Sequence, residues 1–261
     1  MELGKRLAKV AQLVMPAHTI ADVGCDHGYL SIYLAERGKC RHVIAMDVNK
    51  GPLQKAEENI RKFGFGDYIE TRLSNGLDKL KCGEAEGYVC AGMGGPLALQ
   101  IMWNDRDKIK DMKQIILQPQ SEIWLVRRTL KQWGFVIEQE DVEQEEGKYY
   151  FMMRICPGEH FSMDVPPAED TSLTENIVLG DGHDDKTIED CLRKAAYELF
   201  AEGLIAQQNP LLKEYIQKEE KRLAEIRNEL LGRENSVKSE KRLEMIEKEL
   251  AIHRWALARY E

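Results

Sequence analysis

No apolar run in this 261-residue sequence approaches the ~18–20 residues of a membrane-spanning helix, so a helical integral membrane protein is excluded. A continuous apolar signal-peptide core is missing too. Residues Met1–Pro16 interleave Lys5, Arg6 and Lys9 with Leu3, Leu7, Val10 and Val14, which is helical spacing. Paired cysteines are also absent. Cys25, Cys40, Cys82, Cys90, Cys156 and Cys191 stand at least eight positions apart, which excludes a C-x-x-C zinc or redox motif and argues against a disulfide framework. The six histidines show no metal-ligand spacing, so no metal is expected. Glycine, at 20 residues, is too sparse for a collagen, and 43% hydrophobic content is too high for a wholly disordered chain. A cytoplasmic globular protein with free thiols and no membrane partner is the expectation.

Positive charge is scarce overall. The 37 basic residues face 45 acidic ones, and a net charge of -8 weighs against a nucleic-acid partner when taken whole. Resolved by segment, residues 1–150 hold 21 basic and 22 acidic side chains, 151–200 hold 4 and 11, and 201–261 hold 12 and 12. The acidity therefore sits in one middle stretch and leaves both ends nearly neutral.

What is present is an alternation of strand and helix patterns. Thr19–Gly24, His42–Val48, Tyr68–Leu73, Gly87–Ala91 and Gln114–Leu117 read as buried strands, with helices at Gly28–Arg37, Leu53–Phe63, near Leu97–Trp103 and at Glu122–Trp133. Pro52 and Pro96 suit first helical turns. Phe135–Val142 and Tyr149–Ile155, joined by Glu145-Glu146-Gly147, read as an antiparallel hairpin at one sheet edge. The expected fold class is α/β, a mostly parallel seven-stranded doubly wound sheet. Pattern then dissolves in an acidic linker, 161–185, which separates a domain at 1–160 from a helical domain at 186–261. There Ile188, Leu192, Ala195 and Leu199 share one helical face. Leu212, Ile216, Leu223, Ile226 and Leu230, and after a break at Gly232–Ser236 Leu243, Ile246, Leu250 and Leu257, predict a C-terminal α-helical coiled-coil hairpin.

Chemistry in such sheets gathers at the carboxyl ends of strands. The first such loop, Asp22-Val23-Gly24-Cys25-Asp26-His27-Gly28, places Asp26 where a dinucleotide fingerprint has glycine. A carboxylate repels a pyrophosphate but suits a ligand with a cationic end, such as the sulfonium and ammonium of S-adenosylmethionine. The same residues also suit a plain strand–helix turn with a capping Asp. Asp47, 23 residues after Gly24, is placed to accept the hydroxyls of a ribose. Ser74-Asn75-Gly76 is a polar turn able to lie against an adenine. Ala91-Gly92-Met93-Gly94-Gly95-Pro96 carries three glycines in four positions, which means close approach to the backbone.

In this order, D-V-G-C-D-H-G-Y-L, A-M-D-V-N-K-G-P, S-N-G-L, A-G-M-G-G and L-Q-P-Q resemble the TrmK family of bacterial tRNA methyltransferases, as do the opening helix G-K-R-L-A-K-V-A and the tail segment N-P-L-L-K-E-Y-I. Cys25, Gly28, Asp47 and Gln120 depart from the residues frequent there. The resemblance implies a class I (Rossmann-like) methyltransferase that uses S-adenosylmethionine to methylate N1 of the adenine at tRNA position 22. It further implies that Asp22, Gly24, Asp26 and His27 line the methionine end of the cofactor, that Asp47 and Val48 hold ribose and adenine, and that Asn75 and Gly76 flank the adenine. Ala91 and Gly92 complete the cofactor contacts, and Met93 and Gly94, with Asp26, lie where transfer occurs. Tyr29 or Met93 is a candidate platform for an exposed base. Lys5, Arg6, Lys9, Arg127, Arg128 and Lys131 are candidate phosphate contacts, or a solvated helix face. A monomer is expected. Two other readings stay open: a methyltransferase for another RNA base or a small molecule, and a non-catalytic cofactor-binding scaffold that recruits a partner through its coiled coil.

Overall fold

The continuous apolar strand patterns become a single seven-stranded sheet in the computed structural model, which describes residues 1–167, 172–175, 177–179, 184–232 and 237–260. The strands are β1 (Ala17–Val23), β2 (Cys40–Asp47), β3 (Ile69–Leu73), β4 (Gly87–Met93), β5 (Gln114–Pro119), β6 (Phe135–Glu145) and β7 (Lys148–Pro157). Their order is β3-β2-β1-β4-β5-β7-β6, with β7 antiparallel between β5 and β6. All six residues of β5 and the last five of β1 are buried, as helices on both faces of a parallel sheet require. The chain runs outward from β1 to β3, then returns to lay β4 on the other side of β1. That reversal opens a crevice between the β1 and β4 loops at the carboxyl edge of the sheet.

Helices α1 (Lys5–Leu13), α2 (Tyr29–Glu36), α3 (Lys50–Lys62), α4 (Gly95–Asn104), α5 (Arg106–Ile109) and α6 (Ile123–Gln132) accompany the sheet. α3 begins three residues before the expected Leu53. Pro52 sits at its third position, where the missing N–H costs nothing because the first four amides of a helix have no intrahelical acceptor. The hairpin turn also differs: Glu145 stays in β6, and Glu146 and Gly147 alone turn the chain, with φ of +50° and +77°. Two positive φ values are what a two-residue turn needs to match the twist of its strands. The one-turn helix α5 lacks any periodic signal in sequence, and a Lys108–Asp105 ion pair of 2.6 Å holds its start.

α1 is fastened to the hairpin at the far end of this unit. Lys9 pairs with Asp141 at 2.8 Å, the Arg6 amide donates to Glu145, and an Arg154 guanidinium N–H donates to the Leu13 carbonyl at the helix end. Val10, Ala11 and Leu13 are buried beneath it.

The chain divides into two compact units, Met1–Pro167 and Ala168–Glu261. The second contains α7 (Asp185–Phe200), α8 (Glu202–Ala206), α9 (Pro210–Leu231) and α10 (Val237–Leu257). Asn209 caps α9 by accepting from the Leu212 amide, with Pro210 at the first helical position. α9 and α10 form the helical hairpin around Leu223, Ile246 and Leu250, with Ile226 and Leu230 packed on them. Cross-helix ion pairs Arg227–Glu247 and Arg254–Glu220 set it antiparallel. Residues 233–236 of the expected break lie outside the described residues, as does part of the acidic linker. The last turns of α10 bury more than one stripe. His253 meets Phe200 at 4.9 Å and Trp255 meets Tyr197 at 5.9 Å, because α7 packs there as a second partner. Among the described residues, no helix is long and apolar enough to cross a membrane.

Candidate active site

β1 ends at a tight turn that leads into α2. The Gly24 and Cys25 amides both donate to the Met46 carbonyl of the neighbouring strand, which folds the turn back over β2. Gly24 takes φ +75°, and a Cβ there would overlap the Met93 methyl reaching across from β4. Asp26 follows in the left-handed region at φ +49°, a conformation that Asp tolerates better than most residues. Its exposed carboxylate lies 3.6 Å from His27 Nε2, and the His27 carbonyl accepts from Asn59 on α3.

Asp47, at the end of β2, is buried and accepts two backbone N–H bonds, from Asn49 at 2.8 Å and from Asp26 at 3.3 Å. It therefore anchors the first loop as well as its own. Asp22 is only 3% exposed, and the Ser31 hydroxyl donates to its Oδ2 at 2.6 Å. Burial pushes its carboxyl up to about 6, against the opposing pull of the Ser31 hydrogen bonds. Among the described residues no cation pairs with it.

Across the crevice the β4 strand bulges. Ala91 pairs with Gln118 and Met93 with Pro119, so Gly92, at φ +87°, is the extra residue. Three glycines nevertheless do not mean three approaches to a ligand. Cβ atoms on Gly94 and Gly95 would meet Ser121, at 3.2 Å from its hydroxyl and 2.5 Å from its carbonyl. Those two glycines let α4 start against the loop before α6, and only Gly92 borders the crevice.

The crevice is a cavity of about 320 Å³, at the lower end of the range for small-molecule sites. Asp22, Gly24, Cys25, Asp26 and His27 line it from the first loop, and Tyr29 and Leu30 from α2. Ala91, Gly92 and Met93 close it from β4, with Gln120 beyond β5, and α1 contributes Arg6 and Leu7. Seven of the cofactor and transfer residues expected from sequence, and the candidate platform Tyr29, thus meet around one space. Gly94 is outside its lining, as are Asp47, Val48, Asn75 and Gly76 at the ends of β2 and β3. Gln120, the last residue of the L-Q-P-Q motif, and Arg6 and Leu7 of the opening helix join the lining although sequence assigned them no place in it. Arg6 reaches it because α1 is fastened to β6 and β7.

The candidate phosphate contacts divide. Arg6 faces the cavity, Lys9 is spent on Asp141, and Arg127 is buried in a 2.7 Å pair with Glu140. Lys5 and Lys131 are exposed, and Arg128 lies over the Trp124 ring. Among the described residues, no three His, Cys, Asp or Glu side chains are grouped to hold a metal ion.

The lining fits a ligand with a cationic end. A nearly enclosed carboxylate lacking a cation is costly by itself, and a ligand ammonium or sulfonium offsets that cost.

Comparison with known proteins matches residues 3–153 to the methyltransferase domain family. The tRNA (adenine(22)-N(1))-methyltransferase of Bacillus subtilis is 33% identical over 150 residues, 58% of this chain and 63% of that enzyme, so the match spans about three-fifths of that curated relative. A Streptococcus pneumoniae protein solved in complex with S-adenosyl-L-methionine superposes with a TM-score of 0.76 at 26% identity, covering 98% of this chain and 100% of that one. M. capricolum TrmK, solved with S-adenosyl-homocysteine, gives 0.69 at 26% identity over 97% and 99% of the two chains.

Proposed function

This chain belongs to the methyltransferase domain family, and within it to the TrmK-like group, and from that premise we propose that it methylates N1 of the adenine at position 22 of tRNA. It is an S-adenosylmethionine-dependent methyltransferase with a class I fold; the acceptor is the proposed part. The observation that carries the proposal is the cavity at the β1/β4 switch point, where the buried Asp22 carboxylate and the Gly92 bulge line one space. The chemistry of the B. subtilis relative supports the same acceptor.

When bound, S-adenosylmethionine supplies a methyl group on a sulfonium. In this reading Asp22 receives the ammonium of the methionine portion and Gly24 lets the backbone come close. Asp47 accepts the ribose hydroxyls, and Val48, Asn75 and Gly76 border the adenine. Adenine N1 already presents a lone pair, so no side chain has to remove a proton from the attacking atom. The protein's work is in-line positioning, together with acceptors near the positive charge that develops on the base. Asp26 and the carbonyl groups around Met93 and Gly94 are the acceptors at hand. Tyr29, 42% exposed on the cavity lining, is a platform on which a base drawn out of the tRNA stack can rest. Lys5 and Lys131 contribute phosphate neutralisation, and basic residues of the helical hairpin are further candidates for it. A tRNA substrate assigns the protein to the cytoplasm.

The test is incubation with labelled S-adenosylmethionine and tRNA, followed by mapping of the modified nucleotide. The expected product is 1-methyladenosine at position 22. Label in another base or in a small molecule would replace this acceptor, and no transfer at all would favour the scaffold reading.

A further inference from the structure

Arg6 is the one member of the α1 cation set that lines the cavity, and nothing in the motif loops accounts for it. Its guanidinium is held from two directions. Nη1 donates to Gln118 Oε1 at 2.6 Å, and the Tyr150 ring lies 5.5 Å from its central carbon. Gln118 is fully buried, and its own amide is fixed by donating to the Pro119 carbonyl. The guanidinium lies beside the bulge: a Cβ built on Gly92 would stand in ordinary contact, 3.7 Å from Nη1. Among the described residues no carboxylate pairs with this side chain. One of five donors in a planar fork is thus engaged, and the remainder stay available to a planar anion.

We propose that Arg6 binds the α-carboxylate of the methionine portion of S-adenosylmethionine, so that Arg6 and Asp22 together read the zwitterion of an amino acid. This rests on the assignment of the cavity to the cofactor. Two other occupants fit less well. The methylated adenine is cationic, and a guanidinium beside it would repel the product, so the cation belongs at the cofactor's amino-acid end, remote from the acceptor. A tRNA phosphate is better served by the exposed Lys5 than by a half-buried guanidinium locked onto Gln118. A pre-fixed fork gains more from a bidentate partner than a mobile lysine does, because its rotamers are already ordered.

The experiment measures equilibrium binding of S-adenosylmethionine and of decarboxylated S-adenosylmethionine, which keeps the sulfonium and amine but lacks the carboxylate. Arg6→Ala should weaken S-adenosylmethionine by about 10–100-fold, the value of a charge-assisted hydrogen-bonded pair, and leave the decarboxylated ligand unchanged. Arg6→Lys should fall between, which keeps the test alive if the alanine variant does not fold. Equal weakening of both ligands, or of neither, would overturn the assignment while leaving cofactor binding in place. Loss of tRNA affinity with cofactor affinity intact would overturn it in favour of a phosphate contact. Failure of the wild-type chain to bind S-adenosylmethionine would overturn both this inference and the reading beneath it.

Discussion

Replacing Asp22 by Asn separates the cost of a buried carboxylate from its use. In the ligand-free protein, burial raises this carboxyl from 3.8 to about 6. A carboxyl whose proton is held more tightly in the folded state contributes stability that is complete below 3.8 and is lost as pH rises through 6. At about 1.4 kcal/mol per tenfold change in proton affinity, the loss is about 3 kcal/mol, with roughly half of it accumulated by pH 5 and nearly all by pH 7. Asn keeps an oxygen that can accept from Ser31 but does not titrate. Asp22→Asn should therefore gain on the wild type as pH rises from 5 to 8, by about 1.4 kcal/mol, whatever constant offset the amide introduces. For a unit of this size that is about 3–6 °C in Tm. Thermal unfolding of both proteins without cofactor, in matched buffers at pH 5, 6, 7 and 8, measures the difference. Binding of S-adenosylmethionine should move the other way, with the variant weaker because the ammonium has lost its counter-charge. A stability gap that stays flat with pH, or shrinks as pH rises, would refute the reasoning.

Asp47→Ala removes the acceptor for two backbone amides as well as the proposed ribose contact, so S-adenosylhomocysteine should bind about 1–3 kcal/mol more weakly by calorimetry. Unchanged affinity would take Asp47 out of the site. Arg127→Ala and Lys131→Ala, on one helix, should behave oppositely. The first leaves Glu140 buried without its ion partner and should cost about 3–5 kcal/mol in denaturant unfolding. The second should leave stability unchanged and lower the salt dependence of tRNA binding by about one counterion.

The strands and their loops were legible because their signals are local: apolar runs bounded by Gly, Asp and Pro. The hairpin of α9 and α10 was legible for the same reason, through matched stripes at helical spacing. What escaped the sequence depends on contacts between distant segments. Arg6 reads as one cation on an amphipathic helix until Gln118 and Tyr150, more than a hundred positions away, turn it into the cavity. Lys9 loses its candidacy for RNA through Asp141 in the same way. Sequence joined Gly92, Gly94 and Gly95 into one motif, whereas packing divides them between a bulge and the start of a helix. The widened buried face of α10 follows from α7, a partner that the stripe at Leu243, Ile246, Leu250 and Leu257 cannot reveal.

The fastening of α1 to the β6–β7 hairpin bears on the order in which this domain is synthesised and assembled. Met1 pairs with Glu36 and Lys39 donates to the Val14 carbonyl, so the first helix has early partners near α2. Yet Lys9 waits for Asp141, Leu13 for Arg154, and Arg6 for Gln118 and Tyr150, so full fastening of the helix requires the last hairpin of the sheet. Such long loop closures carry an entropic cost before they are rewarded, which places them late in folding. A nascent chain that has completed β1 through β4 already carries the glycine loops, yet its cavity lacks the wall that holds the fixed cation. Completion of the pocket therefore coincides with completion of the domain, and a partly made chain has no finished site to fill.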